Sequence, residues 1–126
     1  MTSGISVNQR DIILIPFPFS DLSQTKKRPS IIVSNKNFNS NSGDVICCAI
    51  TSNPRNYDKS VEIANGDLDS GELRYDSRVK PTKIFTLDKR KIIKKMATLN
   101  ITKSKEIIEN LNQSIEINEN VAIDIN

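Results

Sequence analysis

Two β-type runs separated by a polar, basic loop lie between Asp11 and Asn35, and this pattern constrains the fold most strongly. The first run, Asp11 to Phe19, is rich in β-branched and aromatic residues, and the second, Ser30 to Ser34, holds three β-branched residues in succession. Such runs favour buried or half-buried strands. Pro29 has no backbone N–H to donate, so we expect the ladder of the second strand to start only after it.

The basic loop places an arginine directly before the second strand. Arg28 follows Lys26 and Lys27 and precedes Pro29, which disfavours a helical conformation for the residue before it. A guanidinium is planar, permanently charged and able to engage two phosphate oxygens at once, so Arg28 could clamp a phosphate. The residues alone favour the alternative of an exposed loop arginine. The chain contains no histidine, the usual group for acid–base chemistry near neutral pH.

Further strands are expected wherever short β-branched runs stand between turn-forming residues. They are Asp44–Thr51, Ser60–Ile63, Lys83–Leu87 and Ile92–Leu99. The connections, among them residues 35–43 and 65–71, are rich in Asn, Ser, Asp and Gly and are predicted as turns. Many short strands with such links favour a small, strongly bent antiparallel sheet or barrel.

One helix is predicted over residues 103–114, where apolar residues recur at helical spacing. Thr102 or Ser104 is a suitable N-cap, and the helix could cover one open face of the barrel. Residues 89–99 fit either a helical stripe or a short helical turn followed by a strand. Residues 116–126 are predicted as a loose tail or an extra edge strand.

Composition narrows the class of protein. The length of 126 residues fits one domain, and a hydrophobic share of 37% with 26% charged residues is typical of a soluble globular protein. Without a long apolar run or the apolar core of a secretion signal, we expect a cytoplasmic protein with no membrane partner. The net charge of +3 permits a polyanionic partner without requiring one. The adjacent Cys47 and Cys48 are predicted to be small hydrophobic residues of a strand.

Three sequence blocks in a fixed order resemble the MazF/PemK toxins of type II toxin–antitoxin systems. The blocks are the FPFSDL and KKRP segment of the opening pattern, then Ile50–Asn53, and then Tyr75–Val79 with Lys83–Leu87 and Leu99. The resemblance spans about residues 8–115, so it implies a single toxin domain with that core and a tail over residues 116–126. The implied fold is mainly β (α+β): a small SH3-like, CcdB-like antiparallel β-barrel with a C-terminal helix. The resemblance also favours a short helical turn near residues 87–91, followed by a strand.

The resemblance also implies a function. A toxin of this family would be a sequence-selective endoribonuclease that cleaves single-stranded RNA, mRNA above all, without a metal or another cofactor. Arg28 and Thr51 match the catalytic arginine and threonine of the family, although the residues alone would make Thr51 an ordinary strand end. Attack by the 2′-hydroxyl would leave a 2′,3′-cyclic phosphate and a 5′-hydroxyl. Substrate contacts are expected from Phe19, Gln24, Lys26, Lys27, Ser52, Asn53, Ser77 and Arg78.

Proton transfer and alternative functions stay open at this point. Asp21, Asp58, Glu72 and Asp76 are candidate bases, and their spacing does not choose among them. The resemblance implies a homodimer and a cognate antitoxin that blocks the RNA groove. The alternatives are a CcdB-like gyrase poison, against which the absence of tryptophan argues, and a barrel that binds nucleic acid without cutting it.

Overall fold

The computed structural model describes residues 6–16, 26–55 and 57–118. Within these residues, the strands are β1 (Asp11–Pro16), β2 (Lys27–Ile32), β3 (Asp44–Thr51), β4 (Val61–Ile63), β5 (Leu68–Gly71), β6 (Ser77–Asp88) and β7 (Lys94–Leu99). The helices are α1 (Lys36–Asn41) and α2 (Ile101–Ile115), and single 3₁₀ turns cover Asn65–Asp67 and Lys89–Lys91. None of the helices in this described part is long and apolar enough to cross a membrane.

The seven described strands form one antiparallel sheet in the order β4-β6-β3-β2-β1-β7-β5. Irregularities interrupt the β1–β7, β3–β6 and β5–β7 ladders. Because a bulge bends its strand and increases the local twist, these positions let the sheet curl into a half-barrel with a C-terminal helix. The predicted mainly β, antiparallel fold with a C-terminal helix is therefore confirmed.

Apolar side chains form two clusters, one on each face of the sheet. Ile12, Ile31 and Val79 belong to the first cluster, and Ile13 and Ile32 belong to the second. This split follows from the alternation of side chains along a strand. The fully buried Ile107 brings α2 onto the first cluster, so the helix covers that face and leaves the other face without it.

The two cysteines illustrate the same alternation. Cys48 lies in the first cluster and Cys47 in the second, and both are buried and unbonded to each other. Burial raises the pKa of each thiol to about 12, so both stay protonated and unreactive at neutral pH. Their prediction as small hydrophobic strand residues is confirmed.

A buried carboxylate fastens the start of β1 to β7. Asp11 is 1% exposed and accepts hydrogen bonds from the backbone N–H of Asn8 (2.7 Å) and the hydroxyl of Thr98 (2.9 Å). The ammonium of Lys95 lies 3.2 Å from the same carboxylate. Hydrogen bonds and an opposite charge together compensate the cost of burying this carboxylate.

The predicted start of the second strand was wrong. β2 begins at Lys27 rather than after Pro29, and Pro29 lies within the strand opposite Leu14 of β1. The proline is tolerated because the ladder to β3 begins only at the next residue, Ser30, where a backbone N–H is again present. Arg28 is therefore a strand residue opposite Ile15, and not the end of a loop.

Two connections predicted as turns contain regular structure. The segment 35–43 holds α1, where the Asn35 side chain caps the helix by accepting from the backbone N–H of Phe38. The segment 65–71 ends in β5, which pairs with β7 at the edge of the sheet. Asparagine and serine therefore served here as helix caps and edge-strand residues as well as turn residues.

The C-terminal elements differ from their prediction only at their ends. α2 begins at Ile101, and its N-cap is Asn100, whose side chain accepts from the backbone N–H of Lys103 (2.8 Å), so neither Thr102 nor Ser104 is the cap. Residues 89–99 form a helical turn followed by strand β7, which confirms the arrangement that the resemblance implied. Residues 119–126 of the predicted tail lie outside the described part of the chain.

Candidate active site

Four polar side chains lie in a row across neighbouring strands at one end of the sheet. Thr51 ends β3 and pairs with Arg78 of β6, which pairs on its other side with Glu62 of β4. On the opposite side of β3, the register that pairs Ser30 with Ala49, continued by two residues beyond that last pair, brings Arg28 of β2 level with Thr51. We call these residues the polar row, in the order Arg28, Thr51, Arg78, Glu62.

The polar row shares the sheet face that α2 does not cover. Directly opposed residues of an antiparallel pair point to the same face, and their Cα atoms lie about 4.5–5.5 Å apart. On β3, Thr51 follows Val45 and Cys47 at alternate positions, so it points to the side of the second cluster. Arg28 is exposed and Thr51 is half-buried. The polar row thus lies next to the buried second cluster, on the same face of the sheet, where its side chains meet solvent. Its strands are rigid and can hold functional groups in place.

The chain turns sharply after Thr51, and the threonine hydroxyl takes part in that turn. Its oxygen accepts a hydrogen bond from the backbone N–H of Asn53 (3.1 Å), and the Asn53 side chain accepts from the backbone N–H of Arg55 (3.0 Å). Because a hydroxyl that accepts still carries its own proton, Thr51 can donate to a bound group. The loop ends at Lys59, whose backbone carbonyl and ammonium are bonded to Asn110 and Gln113 of α2.

Arg78 is held on the side away from Thr51. Its guanidinium lies 2.6 Å from a carboxylate oxygen of Glu62 and 3.5 Å from the hydroxyl of Ser60. The Arg78 side chain is 18% exposed, whereas that of Glu62 is 71% exposed. Arg78 therefore has a defined orientation even though its partner reaches into solvent.

A groove of about 330 Å³ opens beside the polar row. It brings together four residues predicted to contact substrate, from the end of β3 and the start of β6. They are Ser52, Asn53, Ser77 and Arg78. Asp76, one of the candidate bases, also lines it, whereas Asp58 and Glu72 are exposed elsewhere on the described surface.

The remaining predicted site residues lie on or near β2. Lys26 and Lys27 are exposed, and Lys27 pairs with Pro16 at the same end of the sheet as Arg28. Phe19 and Gln24, together with the candidate base Asp21, lie outside the described residues. The structure therefore brings Arg28, Thr51 and most of the predicted contacts to one end of the sheet.

Several residues of this region escaped the sequence reasoning. Glu62 and Lys103 line the groove, and the Lys80 ammonium lies 3.8 Å from the ring centre of Tyr57 on the loop after Thr51. The signal for Glu62 was present, because a polar residue between two buried ones in β4 must point away from the core. Its partnership with Arg78 depends on strand pairing, which local pattern does not reveal. Among the described residues, no three His, Cys, Asp or Glu side chains are grouped to hold a metal ion.

Comparison with known proteins assigns the family. The model of the family described as "PemK-like, MazF-like toxin of type II toxin-antitoxin system" matches residues 8–115. The chain belongs to this family. No curated protein sequence is significantly similar to it. The resemblance inferred from the three sequence blocks is confirmed.

Several solved structures share the fold. A mycobacterial endoribonuclease in complex with its cognate antitoxin has 18% identity and a TM-score of 0.70, over 87% of this chain and 95% of the other. MazF in a MazE–MazF complex from Deinococcus radiodurans has 17% identity and a TM-score of 0.70, over 89% and 98%. The Mycobacterium tuberculosis toxin MazF-mt6 has 16% identity and a TM-score of 0.68, over 86% and 99%.

Proposed function

We propose that this toxin is a sequence-selective endoribonuclease that cleaves single-stranded RNA, mRNA in particular, without a metal or another cofactor. The observation that carries the proposal is the position of Arg28 level with Thr51 on neighbouring strands. One permanently charged guanidinium and one hydroxyl donor at about one strand spacing can both reach a single phosphate group. The names of the similar solved structures, which are endoribonucleases and MazF toxins, support the same activity.

The proposed reaction is internal attack by the 2′-hydroxyl. The 2′-oxygen forms a bond to phosphorus, the bond from phosphorus to the 5′-oxygen breaks, and the products carry a 2′,3′-cyclic phosphate and a 5′-hydroxyl. Negative charge grows on the non-bridging oxygens along this path. Arg28 stabilises that charge, and the Thr51 hydroxyl donates to a non-bridging oxygen or orients the 2′-hydroxyl. One proton leaves the 2′-hydroxyl and one arrives at the 5′-oxygen, and the groove-lining Asp76 is a carboxylate available for one of these transfers.

Substrate binding is proposed along the groove and the start of β2. Ser52, Asn53 and Ser77 offer hydrogen-bond donors and acceptors beside the polar row. The exposed Lys26 and Lys27 would contact the RNA backbone by charge. Phe19 and Gln24 keep their proposed role as substrate contacts from the preceding segment.

The biological setting is proposed from the family and the similar structures. Some of those structures contain a cognate antitoxin, so we propose that an antitoxin binds this toxin and blocks its RNA groove. We also propose a homodimer, a cytoplasmic location where mRNA is present, and a single toxin domain with a core over residues 8–115 and a tail over residues 116–126.

The direct test is incubation of the purified protein with a long RNA in EDTA, followed by sequencing of the new 5′ ends. We expect cleavage at a short common motif, 5′-hydroxyl ends, and loss of cleavage in Arg28→Ala. Arg90→Ala is the matched control, because Arg90 forms an exposed ion pair with Asp88 (2.7 Å) beyond the opposite end of β6. Intact RNA with the wild-type protein, or undiminished cleavage by Arg28→Ala, would overturn the proposal. Inhibition of gyrase supercoiling, or RNA binding without cleavage, would favour the two alternative functions.

A further inference from the structure

The strands on the two sides of Thr51 each carry an arginine in the polar row. Arg28 lies one strand away on β2, and Arg78 lies one strand away on β6. Neighbouring strands of a sheet are about 4.8 Å apart, and by strand alternation both arginines belong to the sheet face of the threonine. A phosphate that accepts from Thr51 would therefore have an arginine on the neighbouring strand at either side.

Arg78 also faces the place where RNA is proposed to bind. It lines the groove together with Ser52, Asn53 and Ser77. A guanidinium carries five N–H donors, and the contacts to Glu62 and Ser60 each use one side of this fork. These two contacts use two of the five donors, so three are left for a phosphate oxygen.

Glu62 lies on the far side of Arg78 from Thr51. The strand order β3-β6-β4 places its backbone about two strand spacings, or roughly 10 Å, from that of Thr51. Its carboxylate thus holds Arg78 without standing directly beside the threonine hydroxyl. An ion pair with so exposed a partner contributes little to folding stability, so orienting the arginine is the effect that its 2.6 Å contact can supply.

We infer that Arg78 is a second phosphate-binding cation of the active site and that Glu62 is its positioning residue. The inference rests on the proposed ribonuclease function and specifies which groups would hold the reacting phosphate. Arg28 and Arg78 would bind the two non-bridging oxygens from opposite sides, with Thr51 between them. Glu62 fixes the guanidinium before RNA arrives, which lowers the ordering cost of the contact.

The test compares single-turnover cleavage of a short RNA that contains the cleavage motif with binding of its uncleavable 2′-deoxy analogue. For Arg78→Ala we expect cleavage to slow by about 100-fold or more, the usual effect of removing one donor to a developing oxyanion. The slope of log affinity against log salt concentration for analogue binding should also become shallower, by about the amount that one phosphate contact contributes. Arg90→Ala, which removes an equally charged but distant arginine, should change neither quantity.

Glu62 is tested by a double-mutant cycle. We expect Glu62→Ala to slow cleavage. Glu62→Gln should retain most of the rate, because its amide oxygen still accepts from Arg78. In the Arg78→Ala background, Glu62→Ala should have no further effect on the rate. A further loss in that background, or loss of a titrating group from the pH–rate profile of Glu62→Ala, would show that Glu62 acts on the reaction itself and overturn its positioning role.

The outcomes separate this inference from the proposed function. If the wild-type protein cleaves RNA and Arg28→Ala does not, but Arg78→Ala cleaves at the wild-type rate, only the inference about Arg78 falls. If the wild-type protein does not cleave RNA at all, the function falls first and the inference with it. Circular dichroism checks that each variant is folded, and Arg78→Gln, which is shorter but keeps an N–H donor without charge, carries the same expectation if Arg78→Ala does not fold.

Discussion

Replacing Thr51 by valine removes a single hydroxyl and keeps the β-branched shape that suits the end of β3. In the free protein that hydroxyl accepts one hydrogen bond, 3.1 Å long, from the exposed loop N–H of Asn53. Loss of such a bond costs about 0.5–1.5 kcal/mol, so the variant should remain folded. Loss of a donor to the phosphate in the transition state should cost about 2.7–4 kcal/mol, or roughly 100- to 1,000-fold in rate.

The assay pairs single-turnover RNA cleavage with urea unfolding of the same preparations. Thr51→Ser is the matched control, because serine retains a hydroxyl at the same position and should keep most of the activity. We expect the rate of Thr51→Val to fall far more than its free energy of unfolding explains. Cleavage by Thr51→Val at the wild-type rate would refute the role of the hydroxyl, and so would an equally large loss in Thr51→Ser, which keeps the hydroxyl.

The remaining predictions concern the fold. Ile107→Ala removes three fully buried carbons and should lower the free energy of unfolding by roughly 3–4 kcal/mol, which includes the cost of the cavity. Ile115 on the same helix is 67% exposed, so Ile115→Ala should change this free energy little. Urea titration measures both variants. Gly71 has φ +78°, and a Cβ there would lie 2.3 Å from a backbone oxygen of β7. Gly71→Ala should therefore lower the free energy of unfolding by at least about 1–3 kcal/mol in the same titration. An unchanged unfolding midpoint would contradict this close approach. The pKa values of Cys47 and Cys48 are raised from 9.0 to about 12, so the unfolded chain loses these protons at lower pH than the folded protein does. The free energy of unfolding should therefore fall as the pH rises from about 9 to 12. This fall should be smaller in Cys47→Ala/Cys48→Ala.

The fold was predictable where side-chain pattern decides structure locally. β1 and β3 follow β-branched runs, and α2 follows a helical stripe whose central residue, Ile107, is fully buried. Where tertiary contacts decide, the pattern failed. α1 has no apolar stripe. Its buried residue is Asn39, whose side-chain amide is hydrogen-bonded to the hydroxyl and carbonyl of Ser34. β5 has a single apolar residue, Leu68, and it is a strand because it pairs with β7.

The candidate site shows the same division. Residue type and family resemblance singled out Arg28 and Thr51, but their adjacency depends on the register between β2 and β3. The sequence did not predict this register, because Pro29 was expected to come before the strand and lies within it. The pair of Arg78 and Glu62 was missed for the same reason, since the two residues are 16 positions apart and meet only through the pairing of β4 with β6.

The central claim is that Arg28 and Thr51 act together on one phosphate, and a double-mutant cycle on single-turnover RNA cleavage tests it most directly. Residues that act as a unit lose their effect together, so Arg28→Ala/Thr51→Val should cleave no more slowly than the slower of the two single variants. Rate losses that simply multiply in the double variant would show that the two side chains act independently, and would contradict the account.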